Sequence, residues 1–134
     1  MDAEDLKKRT KSFALRILKL VAALPDTVQG RTVSGQLVRA GTSVGANYRA
    51  VCRARSKAEF IAKVGTVLEE ADESAFWLEL AIEGDLLRAD SVQPLLDEAN
   101  ELVRIMASSR ITASSRARST KSERRHDSNL KSEI

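Results

Sequence analysis

The sequence predicts an all-α protein, an antiparallel up-down-up-down four-helix bundle followed by a disordered C-terminal tail. Three observations support this fold class. Large apolar residues recur at alternating three- and four-residue steps in four segments, no segment alternates as a strand would, and most connections between the segments are short. A length of 134 residues suits one domain, which we place at residues 1–113, with the tail at residues 114–134.

The first two predicted helices have long apolar seams. The first ends before Pro25, because the residue that precedes a proline is disfavoured in the α conformation; its seam is Leu6, Thr10, Phe13, Ile17, Leu20 and Leu24. The second runs from about Val33 to Arg55, and its heptad-spaced seam is Val33, Leu37, Ala40, Val44, Asn47, Val51 and Ala54. Asn47 is the polar member, and a buried amide there would fix register and subunit number.

Gly41 and Gly45 lie inside the second predicted helix. Each costs about 1 kcal/mol relative to alanine in a helix interior, so another interaction must offset the cost. Close approach of a neighbouring helix is the favoured explanation, and contact with a ligand is the alternative.

Sequence signals also mark the third and fourth helices. Ser56 and Glu59 form a capping-box pattern, in which Ser56 accepts from the Glu59 N–H and the Glu59 carboxylate from the Ser56 N–H. The third helix ends near Gly84, predicted as its C′ residue, and the fourth begins after Asp90 with Pro94 in its first turn. The seams are Ile61, Val64, Leu68, Ala71, Ala75, Leu78 and Ile82, and then Leu95, Ala99, Leu102 and Met106.

The charges are sorted by segment. Residues 31–63 contain seven basic residues and one acidic residue, whereas residues 64–103 contain eleven acidic residues and one basic residue. Residues 114–134 carry six Lys or Arg and three acidic residues, which equals the net charge of +3 of the whole chain. This Ser/Arg-rich tail contains too little apolar surface to offset its ordering entropy, which predicts disorder.

Few residues could support catalysis or bind a metal. The one histidine, His126, lies in the tail, and Cys52 is interpreted as a buried or half-buried helix residue. The acidic cluster Glu69, Glu70, Asp72 and Glu73 lacks the Glu-x-x-His pairs of di-iron bundles, so solvated or ion-paired carboxylates are expected. We therefore expect no enzyme activity, no cofactor and no metal.

Basic residues of the second helix and the following turn are the candidates for nucleic-acid binding: Arg39, Arg49, Arg53, Arg55 and Lys57. They could bind phosphates, or they could pair with the acidic third helix of the same or another subunit. Asn47, Tyr48, Glu69 and Glu73 are the candidates for an oligomer interface.

The segments QLVRAGTSVGANYR, RSKAEF and EADESAFWLEL, with weaker similarity over about residues 5–112, resemble the four helix bundle protein family. It is also called the ribosomal RNA intervening-sequence protein family and is similar to the accessory variability determinants of diversity-generating retroelements. The resemblance implies an antiparallel bundle, a ring-like homopentamer and no enzymatic activity, and for the retroelement relatives a basic surface that binds nucleic acid and a reverse transcriptase. The matching residues are Gln36, Arg39, Ser43, Asn47, Arg55, Ser56, Glu59 and Phe60. Ala50 departs from the family, whose members often have Glu there.

Two functions follow as expectations. The first is a cytoplasmic, non-catalytic, self-associating bundle that binds RNA or DNA through its basic helix face and tail, as an accessory protein of RNA or a reverse transcriptase. The second is a structural or protein-interaction scaffold whose basic and acidic helices pair between subunits. The lone cysteine and the lack of an apolar leader or a spanning segment favour the cytoplasm over a membrane.

Overall fold

A computed structural model describes the backbone of residues 1–132 and the side chains of residues 1–116. It contains four α-helices: α1 (Ala3–Val21), α2 (Val28–Val51), α3 (Lys57–Glu83) and α4 (Ala89–Ser132). No strand occurs in the described backbone. The predicted all-α four-helix fold is therefore confirmed.

The helices pack around one apolar core. Each helix contacts the next along the chain, and α4 also contacts α1, although less extensively. Phe13 of α1, Leu37 of α2, Leu78 of α3 and Leu102 of α4 are fully buried at the centre. This arrangement places the start of α1, the end of α2 and the start of α3 at the same end of the bundle.

The contact between α1 and α4, the least extensive of these, contains an ion pair formed by Arg9. The Arg9 guanidinium donates two hydrogen bonds to the carboxylate of Glu98, from Nε to Oε2 at 2.7 Å and from Nη2 to Oε1 at 2.6 Å. The two side chains are 26% and 17% exposed. The hydrogen bond to Glu98 raises the pKa of Arg9 above its usual value, so the guanidinium stays charged at any ordinary pH.

The bounds of the first two helices differ from those predicted. α2 begins at Val28 because the side chain of Thr27 accepts a hydrogen bond from the Gly30 N–H at 3.0 Å, an N-cap that the seam analysis missed. It ends at Val51 rather than Arg55, with Cys52 as its C-cap. α1 ends at Val21, earlier than the seam member Leu24.

The heptad seam of α2 is wrong at its C-terminal end. Tyr48 is buried, with 5% of its surface exposed, whereas Asn47 and Ala54 are only half-buried. The reason is geometric, since a straight α-helix has 3.6 residues per turn and drifts away from a strict heptad pattern. Asn47 is therefore not a buried polar member of the core of this subunit.

Gly41 and Gly45 allow α1 and α2 to approach closely, which confirms the favoured explanation for them. A Cβ atom at Gly41 would lie 2.6 Å from Cγ1 of Ile17, and one at Gly45 would lie 3.2 Å from the carbonyl oxygen of Thr10. Both neighbours belong to α1. Any larger side chain at Gly41 would have to displace a fully buried isoleucine.

The ends of α3 agree with the prediction in position but not in every contact. Ser56 is the N-cap and accepts from the Glu59 N–H at 3.1 Å, but the Glu59 carboxylate accepts from the Arg55 N–H, also at 3.1 Å, rather than from Ser56. Gly84 is the C-cap with a right-handed conformation, and the left-handed residue is Asp85, with φ of 56°.

α4 begins at Ala89, two residues before the predicted start after Asp90, so Pro94 lies inside the helix beyond its first turn. The backbone of α4 continues without a break past Ala113 to Ser132. The disorder expected of residues 114–134 stays a prediction, because the side chains of residues 117–134 lie outside the described part of the chain.

Candidate nucleic-acid interface

The acidic cluster of α3 is divided between an intramolecular ion-pair network and solvent. Arg39 of α2 lies between two of its carboxylates, with Nη1 at 3.5 Å from Oε2 of Glu70 and Nη2 hydrogen-bonded to Glu73. The side chain of Gln36 accepts a further hydrogen bond from Arg39 at 3.3 Å. Arg39 and Glu73 therefore join α2 to α3 within one subunit, which is one of the two pairings that the sequence left open.

Among the side chains of residues 1–116, no group of three or more His, Cys, Asp and Glu residues is arranged to hold a metal ion. Glu69 and Asp72 are exposed, and neither forms an ion pair with a described residue. No described helix is long and apolar enough to cross a membrane.

The other four predicted binding residues gather at one end of the bundle. Arg49 and Arg53 lie on the last turn of α2 and just after it, while Arg55 and Lys57 flank the N-cap of α3. All four side chains are exposed, and none forms an ion pair with a described residue.

Helix α1 also contributes to this end of the bundle, which the sequence did not predict. Lys7, Lys8 and Lys11 line a shallow cavity of about 250 Å³ together with Arg49 and Glu4. The antiparallel packing of α1 against α2 brings these lysines to the end of α2, so sequence separation hid the proximity. We call the whole group the basic end: Lys7, Lys8, Lys11, Arg49, Arg53, Arg55 and Lys57.

Few carboxylates counter the basic end. Glu4 lies beside the lysines, whereas Asp2 and Asp5 are engaged in a capping box at the start of α1. The Glu59 carboxylate is turned toward the Arg55 N–H and toward Lys63, whose Nζ lies 3.7 Å away. The surface therefore keeps a local excess of positive charge.

An open cavity of about 560 Å³ lies within the basic end, between the end of α2, the start of α3 and the middle of α4. Its lining includes the apolar residues Val51, Phe60 and Ala113 together with the exposed residues Arg55 and Lys57, which we call its rim. Phe60 is half-buried, so part of its surface is available to the cavity.

Tyr48 and Cys52 lie side by side on the wall of this cavity. Burial raises the pKa of Tyr48 to about 12, with smaller contributions from the neighbouring Cys52 thiol and from Asp2. Cys52 is exposed, which corrects the prediction that it is buried or half-buried. The error follows from the end of α2, because Cys52 is its C-cap and projects where no helix packs against it.

Two apolar stripes remain exposed on opposite sides of the bundle. On α1, Leu15 and Leu18 are 59% and 44% exposed, and on α3, Phe76 and Leu80 are 51% and 37% exposed. We call these the α1 stripe, with its exposed neighbours Lys8, Lys11 and Lys19, and the α3 stripe, with its exposed neighbours Glu69, Asp72, Glu79 and Glu83.

The predicted interface residues fall in different places. Glu69 belongs to the α3 stripe, whereas Glu73 pairs with Arg39 and Tyr48 packs into the core of its own subunit. Asn47 is half-buried on α2. The sequence missed the stripes because Leu15, Leu18, Phe76 and Leu80 each lie outside a core seam, and only the packing showed which residues stay uncovered.

Comparison with known proteins agrees with this fold. The family profile described as 23S rRNA-intervening sequence protein matches residues 4–108. The chain is also similar to a crystal structure of a protein with unknown function from the S23 ribosomal protein family of Bacteroides thetaiotaomicron VPI-5482. The identity is 31% and the TM-score 0.70, over 78% of this chain and 97% of that one. No curated protein matches the chain significantly. On the length of the profile match, the chain belongs to the 23S rRNA-intervening sequence protein family.

Proposed function

We propose that this protein is a non-catalytic, self-associating helical bundle of the cytoplasm that binds nucleic acid through its basic end and its tail. One observation carries the proposal. Seven cationic side chains from α1, α2 and the start of α3 gather at one end of the molecule, and the four predicted from the sequence are exposed without an ion-pair partner among the described residues.

Phosphate binding is what such an arrangement favours. Each phosphate contact by Lys or Arg releases condensed counterions, so unpaired exposed cations gain more from a polyanion than cations already paired with carboxylates. The opposite end illustrates the contrast, since Arg31 pairs with Asp26 at 2.8 Å and Arg88 with Asp90 at 3.0 Å.

Two variants of the full chain test whether the bundle or the tail binds. One replaces Arg49, Arg53, Arg55 and Lys57 by Gln, and the other replaces Arg118, Lys121, Arg124 and Arg125 by Gln. Affinity for single-stranded RNA should be measured over a series of salt concentrations. We expect both variants to lower the slope of log affinity against log salt, by about 0.7 for each lost contact.

A result in which only the tail variant lowers the slope would contradict binding by the bundle. It would favour the scaffold function, for which the Arg39 network offers a precedent, because there the basic α2 already pairs with acidic α3.

Self-association is supported by the two exposed stripes. Each combines large apolar side chains with charges of one sign, basic on α1 and acidic on α3. Glu83 in the last turn of α3 also opposes the helix dipole, and no basic residue lies in that turn. Lys19 of a second copy, the lysine of the α1 stripe that lies outside the basic end, would relieve this repulsion while the leucines and Phe76 become buried.

Contact between the α1 stripe of one copy and the α3 stripe of the next would be heterologous, because the stripes lie on opposite sides of the bundle. A heterologous contact closes into a ring or continues as a filament. The ring-like pentamer expected from the family resemblance would be one such closed form, and it would present several basic ends to one nucleic acid.

A mixing experiment tests this geometry. Leu15→Asp disables the α1 stripe, Phe76→Asp disables the α3 stripe, and Val28→Asp is a control at an exposed apolar residue outside both stripes. By native mass spectrometry we expect each stripe variant alone to be monomeric, and an equal mixture of the two to form a complex of two subunits and nothing larger. Retention of the parental oligomer by either stripe variant would contradict the heterologous contact.

A further inference from the structure

The cavity within the basic end combines features that charge alone does not require. Its volume of about 560 Å³ lies in the range of small-molecule sites, which are concave, mostly apolar and furnished with a few polar groups. A surface that bound only phosphates could be flat. This one is recessed and apolar, and Arg55 and Lys57 lie at its rim.

We propose that this cavity holds one unstacked base of a single-stranded nucleic acid, with Phe60 as its stacking surface and Arg55 and Lys57 on the adjoining phosphates. The inference rests on the proposed function and specifies the form of nucleic acid that the basic end prefers. Bases of a duplex are stacked and paired, so their faces cannot enter a recessed site, whereas unpaired bases stack readily on aromatic side chains.

The start of α3 is placed to assist the phosphate contact. The Ser56 hydroxyl accepts a hydrogen bond from the Glu59 N–H, and the Ser56 carbonyl accepts one from the Phe60 N–H. The N–H groups of Lys57 and Ala58, the first two residues of the helix, have no such acceptor and are donors available to a phosphate at a helix N-terminus. The Glu59 carboxylate is held by the Arg55 N–H and Lys63, and Glu59 is not among the residues that line the cavity.

Substitutions of Phe60 in the full chain test the proposal. Phe60→Leu keeps an apolar side chain but removes the aromatic face, Phe60→Tyr keeps the face, and Val28→Ala is the control at an exposed apolar residue away from the cavity and from both stripes. The probes are a short oligouridine, an oligonucleotide of the same length that carries abasic sites, and an RNA duplex. Circular dichroism confirms that each variant is folded.

We expect Phe60→Leu to weaken binding of the oligouridine about tenfold without changing the salt slope, and to leave binding of the abasic strand and the duplex unchanged. Phe60→Tyr and Val28→Ala should bind the oligouridine as the parent does. Equal weakening for all three probes, or no weakening for any, would overturn the inference while leaving phosphate binding intact.

Two further outcomes separate this inference from other failures. If no probe binds the parent chain in a salt-dependent way, the proposed function itself is wrong. If adenosine monophosphate alone binds as tightly as the strand, and only to chains with an aromatic residue at position 60, the cavity is a site for a free nucleotide and the assignment to a strand is overturned.

Discussion

Charged residues have one role at the interfaces between helices and another at the basic end. At the interfaces between helices, Arg9 bonds to Glu98 and Arg39 lies between Glu70 and Glu73, so each cation joins two helices. At the basic end, Arg53, Arg55 and Lys57 are exposed and unpaired within the described residues. The positive charge of α2 is therefore not one surface, because Arg39 stabilises the fold whereas Arg49 is exposed without an ion-pair partner among the described residues.

The largest loss of stability is expected at the ion pair between Arg9 and Glu98, whose side chains are less exposed than those of the other described ion pairs. Glu98→Ala leaves the guanidinium of Arg9 partly buried without a partner, and we expect the free energy of unfolding to fall by about 2 kcal/mol. Urea denaturation measures it. The double variant Arg9→Leu with Glu98→Leu should cost less than Glu98→Ala, since it leaves no unpaired charge, and a larger loss would argue against this interpretation of the pair.

The second effect concerns the wall beneath the basic end. Tyr48, the one tyrosine of the chain, has its pKa raised from 10.0 to about 12 in the folded state. Since the folded value is higher, its contribution to stability is complete below pH 10 and is lost as the pH rises from 10 to 12. We expect a loss of about 1.4 kcal/mol between pH 9 and pH 11.

Near-ultraviolet absorbance follows this ionisation directly. The tyrosinate signal of the native protein should rise near pH 12, and that of the urea-unfolded chain near pH 10. Tyr48→Phe should flatten the stability curve over this range. Coincident titrations of the folded and unfolded chains would contradict the buried placement of the hydroxyl.

A smaller effect is expected at the N-cap that positions the rim of the cavity. Ser56→Ala removes the acceptor for the Glu59 N–H and should destabilise the protein by about 1 kcal/mol. Thermal or chemical denaturation measures the loss, with Ser56→Asp as a control that retains a capping oxygen. Unchanged midpoints for Ser56→Ala would show that the cap is not used.

The smallest loss of stability should come from substitution of Arg39, which was predicted to bind nucleic acid but lies at the interface between α2 and α3. Because its side chain is 50% exposed, Arg39→Gln should cost no more than about 1 kcal/mol of stability. The salt slope of RNA binding should stay unchanged. A lower slope would show that Arg39 also contacts the nucleic acid, which would contradict its assignment to the helix–helix interface alone.

The sequence was sufficient for the fold where local chemistry determines structure. Apolar periodicity located the four helices, and the Ser56 pattern located the start of α3, because both signals lie within a few residues. The heptad assumption failed at Asn47 and Tyr48, where the small drift of a real helix exchanged the half-buried and buried positions.

The candidate site was less accessible to sequence reasoning, because it depends on packing. Lys7 and Lys11 join Arg49 only through the antiparallel contact of α1 and α2. Arg39 does not belong to the basic end, because it pairs with Glu70 and Glu73 of α3. The exposure of Cys52 and the cavity around Phe60 likewise follow from where α2 ends, a boundary that periodicity placed at Arg55.

The central claim, that the basic end binds nucleic acid, is tested most directly by two double variants that change charge equally at opposite ends. Arg53→Gln with Lys57→Gln alters the basic end, and Arg31→Gln with Arg88→Gln alters the end where the cations are paired. The measurement is the salt dependence of binding to single-stranded RNA. The account predicts that the first variant lowers the slope by about 1.4 and the second leaves it unchanged. Equal slopes for the two variants would contradict it.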